Sequence, residues 1–122
     1  MSSLYTEIIQ DAYRWPHHRG EMADPTHSHE DENPLCGDAL RVQLRVENGR
    51  IVEARFQGQG CAISQAAAEL MLGRVENQPV SVVSTLGKDD VLAELGLPHI
   101  SPARLKCALL SLEVLRGAVR GL

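Results

Sequence analysis

The stretch Leu40-Arg41-Val42-Gln43-Leu44-Arg45-Val46-Glu47-Asn48-Gly49-Arg50-Ile51-Val52-Glu53-Ala54-Arg55-Phe56-Gln57 decides the fold. Leu40, Val42, Leu44 and Val46 alternate with Arg41, Gln43, Arg45 and Glu47, the pattern of a strand with one buried face. Beyond Asn48-Gly49, Val52, Ala54 and Phe56 alternate with Glu53, Arg55 and Gln57 in the same way. Two such strands around a turn form an antiparallel hairpin, and two registers compete for it. A two-residue Asn48-Gly49 loop pairs Val46 with Ile51 and Leu44 with Glu53, which sets charge on the apolar face. A three-residue loop, Glu47-Asn48-Gly49, pairs Leu44 with Val52, Val42 with Ala54 and Leu40 with Phe56. A slip of one residue turns every side chain to the other face, so the second register is expected, with Gly49 left-handed at a bulge.

Just upstream lies Asn33-Pro34-Leu35-Cys36-Gly37-Asp38. Pro34 keeps its predecessor extended, and Gly37 can turn sharply enough for a thiolate and a carboxylate to face one point. Just downstream, Gly58-Gln59-Gly60-Cys61 leads into a helix expected over Ala62 to Leu72 and closed by Gly73. Alanines at 62, 66, 67 and 68 make that helix slim enough to pack closely. A last helix starts at Ser101-Pro102, a cap followed by proline. Leu105, Ala108, Leu112, Leu115 and Val119 form one apolar stripe on it, and Cys107, Leu110, Val114 and Ala118 a second. So wide an apolar arc predicts a central helix. Cys61 at one helix start and Cys107, expected in the first turn of another beside Arg104 and Lys106, both gain thiolate character.

Elsewhere the pattern is plainer. Ser2 or Ser3 caps a first helix with Leu4, Tyr5, Ile8, Ile9 and Ala12 on one face, ended by Pro16. Residues 21–33 are polar and read either as an edge strand or as a mobile loop. Val80–Leu86 and Asp89–Leu95 read as two short helical pieces separated by Gly87. With 122 residues the expectation is one domain, 1–122. A net charge of −4 argues against a general nucleic-acid binder. With a mean hydropathy of −0.16, apolar stretches interrupted every few residues and no signal-peptide pattern, no membrane role is expected. Three cysteines, an odd number, point to a cytoplasmic protein with reduced thiols.

A single cysteine is usually a buried, inert thiol. Three that each follow a loop and adjoin a turn or a helix start are better read as ligands. His17-His18 and His27-x-His29 have ligand-like spacing but lie in polar segments, so they read as solvated; His99, in a loop near Cys107, reads as exposed.

The chain resembles the iron–sulfur cluster assembly scaffolds of the IscU/NifU amino-terminal/SufU group, and the SufU-like branch most of all. The resemblance runs over nearly the whole length: Leu4-Tyr5 through Tyr13-Arg14 with Pro16 and Gly20, Asn33 through Asp38, Phe56 through Ser64, and Ala103-Arg104-Leu105-Lys106-Cys107-Ala108. It implies an α+β fold: a small antiparallel sheet of about three strands with helices packed on one face. It also implies a shared metal site of Cys36, Asp38, Cys61 and Cys107. Lys106 stands where IscU-type members carry a histidine, Leu97-Pro98-His99-Ile100-Ser101 is a poor likeness of their chaperone-binding stretch, and the segment between Cys61 and Cys107 has no room for the SufU insertion.

Three thiolates suit iron–sulfur clusters and zinc alike, and a carboxylate completes a four-ligand set. An oxygen ligand holds iron–sulfide less firmly than a fourth cysteine and leaves a cluster transferable. The expected function is a scaffold without turnover of its own. It holds a transient [2Fe–2S] cluster, built with sulfur from a cysteine desulfurase, and passes it to apoproteins. The alternative is a sulfur acceptor in which Zn²⁺ holds the site and Cys36 or Cys107 takes sulfur from the desulfurase. A purely structural zinc domain is the third reading, and the oligomeric state is left open.

Overall fold

Asn48 and Gly49 both take positive φ, 55° and 75°, the geometry of a two-residue hairpin turn. They join two strands of a computed structural model that describes residues 7–34, 37–98 and 100–120. These strands are β2, Asp38–Glu47, and β3, Arg50–Gln59. The expected three-residue loop is therefore not the one adopted. Val46 pairs with Ile51, the ladder shifts, and from there Arg45 pairs with Glu53, Leu44 with Ala54, Val42 with Phe56 and Leu40 with Gly58. The shift leaves Val52 as the extra residue of a β-bulge. Burying the apolar face did fix the register, but the correction sits inside β3 and not in the loop. Ile51 and Ala54 consequently both face the core, each 0% exposed although three residues apart.

The polar stretch upstream is an edge strand, β1, His27–Asn33, antiparallel to β2 from His27–Leu44 to Asn33–Asp38. The sheet order is β1-β2-β3. Helices α1 (Glu7–Arg14), α2 (Ala62–Val75), α3 (Val82–Thr85), α4 (Lys88–Leu95) and α5 (Pro102–Ala118) complete the described fold. The α5 helix lies on β1 and β2, α2 lies on β3, and α1 and α4 pack against α2. The core joins Leu40, Val42, Leu44 and Phe56 of the sheet to Ile63, Met71 and Leu72 of α2 and Leu110 and Leu115 of α5. Gly73 does not close α2, which runs two residues further to place Val75 in the core. Ile9 and Ala12 of α1 are buried as expected, but Ile8 is 46% exposed. The expected partners Ser2, Ser3, Leu4 and Tyr5 lie outside the described residues.

Residues 15–26 fasten the far side of the sheet. Gly20 N–H donates to the Phe56 carbonyl (2.9 Å) and Phe56 N–H to the His18 carbonyl (2.8 Å), covering the free edge of β3. The segment then reaches β2, where the Gln43 amide accepts from Met22 N–H (2.9 Å) and donates to its carbonyl (3.3 Å). Two polar groups that would otherwise be buried alone satisfy each other there.

His18 is not the solvated histidine its sequence context suggests. Its ring bridges two carboxylates of the α2 region, Nδ1 to Glu69 Oε2 (2.7 Å) and Nε2 to Glu76 Oε1 (3.0 Å). Its backbone N–H donates to Glu69 Oε1 (2.8 Å). The hydrogen bond to Glu69 outweighs burial and lifts the His18 pKa above its ordinary 6.5. Burial pushes Glu69 up, but the His18 ring and backbone hydrogen bonds prevail and hold it below 4.5. A raised histidine stabilises the fold fully below its unfolded pKa and loses that contribution as pH rises through the folded one; the lowered Glu69 acts in the opposite sense at acid pH. The clasp is therefore strongest between about pH 4.5 and 6.5. His18→Gln should cost most stability in that window and progressively less towards pH 9, as measured by urea unfolding of both forms. A difference independent of pH would contradict the ion-pair clasp.

Candidate metal centre

Asp38, the first residue of β2, is 1% exposed. The turn before it uses Gly37 at φ 72°, with Gly37 N–H donating to the Asn33 carbonyl (2.9 Å). This is the left-handed conformation expected of that glycine. At the other end of the hairpin, Cys61 is the N-cap of α2, half-buried, with its backbone N–H donating to Asp38 Oδ1 (3.0 Å). The Cys61 carbonyl is held twice, by Ser64 Oγ–H (3.0 Å) and Gln65 N–H (3.2 Å). Gly60 makes this approach possible. Its φ is 145°, and a Cβ there would collide with Asp38 Oδ1 and Ser64 Oγ.

Cys107 comes from α5 and is 3% exposed. Because α5 begins at Pro102, capped by Ser101 Oγ, Cys107 falls in the second turn and not the first. The positive end of that helix is correspondingly weaker there, unlike at Cys61.

One oxygen of Asp38 and the sulfurs of Cys61 and Cys107 lie within 4.8 Å of one another, the one such group of metal-capable side chains among the described residues. Tetrahedral Zn²⁺ with bonds of about 2.3 Å to sulfur separates its ligands by about 3.7 Å, within reach of this arrangement. Of the two Asp38 oxygens, Oδ1 takes the Cys61 N–H and Oδ2 is buried with no hydrogen-bond partner. A carboxylate oxygen left so is costly, and a cation is the ordinary remedy. Three of the four residues read as ligands are thus brought together; Cys36 lies outside the described residues.

None of the described histidines is part of the cluster. His18 is held by its two glutamates, His29 packs its ring against Gly117 of α5, and His27 Nδ1 meets Thr26 Oγ1 (2.9 Å). His99 lies outside the described residues. Sequence reading passed over Ser64, Gln65 and Arg19. Arg19 Nη1 donates to Gln65 Oε1 (3.0 Å) and Nη2 to the Gly58 carbonyl (3.0 Å). Gln65 carried one usable signal, its position one helical turn after Cys61.

Comparison with known proteins bears on the family and the fold. The NifU-like N terminal domain family matches residues 4–121. The chain is 33% identical to the iron-sulfur cluster assembly scaffold protein IscU of Thermotoga maritima, over 96% of this chain and 93% of that one. It is 30% identical to the zinc-dependent sulfurtransferase SufU of Bacillus subtilis, over 98% and 91%. Among solved structures, a SufU from Fervidobacterium islandicum superposes with a TM-score of 0.81 at 24% identity, covering 95% of this chain and 96% of that one. A NifU-like protein from Brucella abortus gives 0.78 at 19% identity, covering 95% and 92%. These two show the α+β fold with helices on one face of a three-stranded sheet.

Gly60→Ala tests the site without touching a ligand. The added methyl must displace the Asp38 carboxylate, so Zn²⁺ affinity should fall at least about ten-fold in a competition titration. Affinity equal to wild type would remove Asp38 from the ligand set.

Proposed function

This chain belongs to the NifU-like N-terminal domain family, and from that premise we propose that it is an iron–sulfur cluster assembly scaffold. Its cargo is a transient [2Fe–2S] cluster, held by Cys36, Asp38, Cys61 and Cys107 and handed to apoproteins. One observation carries the reading: donor atoms from β2, the start of α2 and α5 lie within 4.8 Å of each other, while one oxygen of the buried Asp38 has no protein partner. Thiolates supply the soft ligands that iron–sulfide needs. Asp38, oriented by the Cys61 N–H on one oxygen, supplies its uncommitted oxygen, which can be exchanged for a ligand from an acceptor protein. The binding site turns over no substrate of its own. A cysteine desulfurase is the source of sulfur, the cytoplasm is the compartment, and residues 1–122 act as one unit. No helix among the described residues is long and apolar enough to cross a membrane.

A second reading is favoured by the SufU relative named as a zinc-dependent sulfurtransferase, matched as completely as the scaffold relative. Here zinc holds the site and a cysteine thiolate receives sulfur. The thiolate attacks the outer sulfur of a desulfurase persulfide, the new S–S bond replaces the old one, and the desulfurase cysteine leaves as its thiolate. Cys107, only 3% exposed, is badly placed to meet a partner's persulfide, so Cys36 takes that role in this reading.

Asp38→Ala separates the two. Under the scaffold reading it removes the weak ligand, a thiol or water completes the shell, and the reconstituted cluster persists longer and transfers more slowly to an apo-ferredoxin. Zn²⁺ affinity falls under either reading, but faster cluster loss with a lower melting temperature would contradict the scaffold and favour zinc.

A further inference from the structure

Besides Asp38 Oδ2, one other buried side-chain atom among the described residues lacks a hydrogen-bond partner: the amide nitrogen of Gln65. Gln65 is 3% exposed. Its orientation is fixed chemically. Arg19 can only donate, so the atom it meets at 3.0 Å must be the amide oxygen. The nitrogen, with two N–H donors, is forced to the opposite side of the amide. Arg19 is itself held by the Gly58 carbonyl (3.0 Å) and by the Phe56 ring, 5.8 Å from its centroid.

Three relations tie this donor to the metal centre. Gln65 follows Cys61 by one turn of α2, and its backbone N–H bonds the Cys61 carbonyl. Helical side chains lean towards the amino end of their helix, which in α2 is the end that carries Cys61. Arg19 anchors it to Gly58, on the strand whose end carries Gly60 against the Asp38 carboxylate. The two partnerless atoms are thus a donor and an acceptor at the same end of the sheet. Leaving a buried N–H unpaired is costly, so an acceptor that arrives with a ligand is the natural complement. The Cys61 and Cys107 sulfurs are both in place, yet neither accepts from this nitrogen.

We infer that Gln65 Nε2 is a hydrogen-bond donor to sulfide sulfur delivered to the site, with Arg19 as the positioning residue that turns the amide towards it. The inference rests on the scaffold reading, since it needs a sulfide-bearing cargo. Hydrogen bonds to cluster sulfur raise the reduction potential and strengthen retention.

The test uses the full chain, first with Zn²⁺ alone and then after reconstitution with iron and sulfide. Gln65→Leu should leave Zn²⁺ affinity within about two-fold of wild type, lower the cluster's reduction potential and speed its loss about five-fold, the equivalent of one hydrogen bond. Gln65→Glu keeps a partner for Arg19 but replaces the donor by an acceptor, so it should lower the potential further. Arg19→Met, which frees the amide to rotate, should give a smaller shift of the same sign. Melting temperatures of the metal-free variants identify any that fail to fold, and the Arg19 variant then carries the test. Rescue of potential and lifetime by Gln65→Glu would make Gln65 a mere bridge to Arg19 and overturn the inference. A wild-type cluster with Gln65→Leu unchanged would overturn it alone. A wild-type chain that binds Zn²⁺ but forms no cluster would overturn the scaffold reading and this inference with it.

Discussion

The hydrogen bond from Cys61 N–H to Asp38 Oδ1 is the contact on which the candidate centre depends. It joins the first residue of β2 to the N-cap of α2, two points separated by the whole hairpin. The hairpin brings them side by side because Ala39 pairs with Gln59, and Gly60 leaves the space a side chain would fill. One oxygen of the carboxylate is thereby spent on orientation, and the other stays uncommitted in a buried position. A ligand group held rigidly by its own backbone neighbour needs little reorganisation when a cation arrives.

The segment 15–26 makes this arrangement durable. It adds a partner to the free edge of β3, and its two adjacent side chains grip α2 at different heights. His18 holds Glu69 and Glu76 near the carboxyl end, while Arg19 holds Gln65 near the amino end. Arg55 reaches Glu76 from β3 (3.6 Å), and Glu76 also accepts from Ala54 N–H (3.0 Å). The polar contacts around α2 therefore set how that helix, and with it Cys61, sits over the sheet. Where a helix is buried nearly all round, as α2 is, such satisfied polar pairs specify position that apolar packing alone leaves loose.

Much of this was legible in the sequence because it follows from local rules. Alternation gave both strands, Ser101-Pro102 gave the start of α5, and Gly37 and Gly49 adopt the positive φ their turns demand. What failed had non-local causes. The bulge at Val52 is invisible to alternation, since two apolar residues, Ile51 and Val52, are adjacent and either can continue the pattern. The Gly73 stop was overruled by burial of Val75. β1 reads as polar because its outer face is solvated; its pairing with β2 and the packing of α5 on it, with His29 against Gly117, are what order it as a strand. His18 looked like a surface residue because its glutamates lie more than fifty positions away. The candidate ligands could be named but not located, since spacing says nothing of where α5 crosses the sheet.

The family and the fold are consistent with either iron–sulfide or zinc at the centre, and both readings require the same first contacts. The central claim is that Cys36, Asp38, Cys61 and Cys107 form one four-ligand site. X-ray absorption at the zinc edge of the fully loaded protein tests it most directly. The account predicts three sulfur ligands at about 2.3 Å and one oxygen at about 2.0 Å. A shell dominated by nitrogen, with the multiple-scattering pattern of imidazole, would place the metal on the histidines and contradict it.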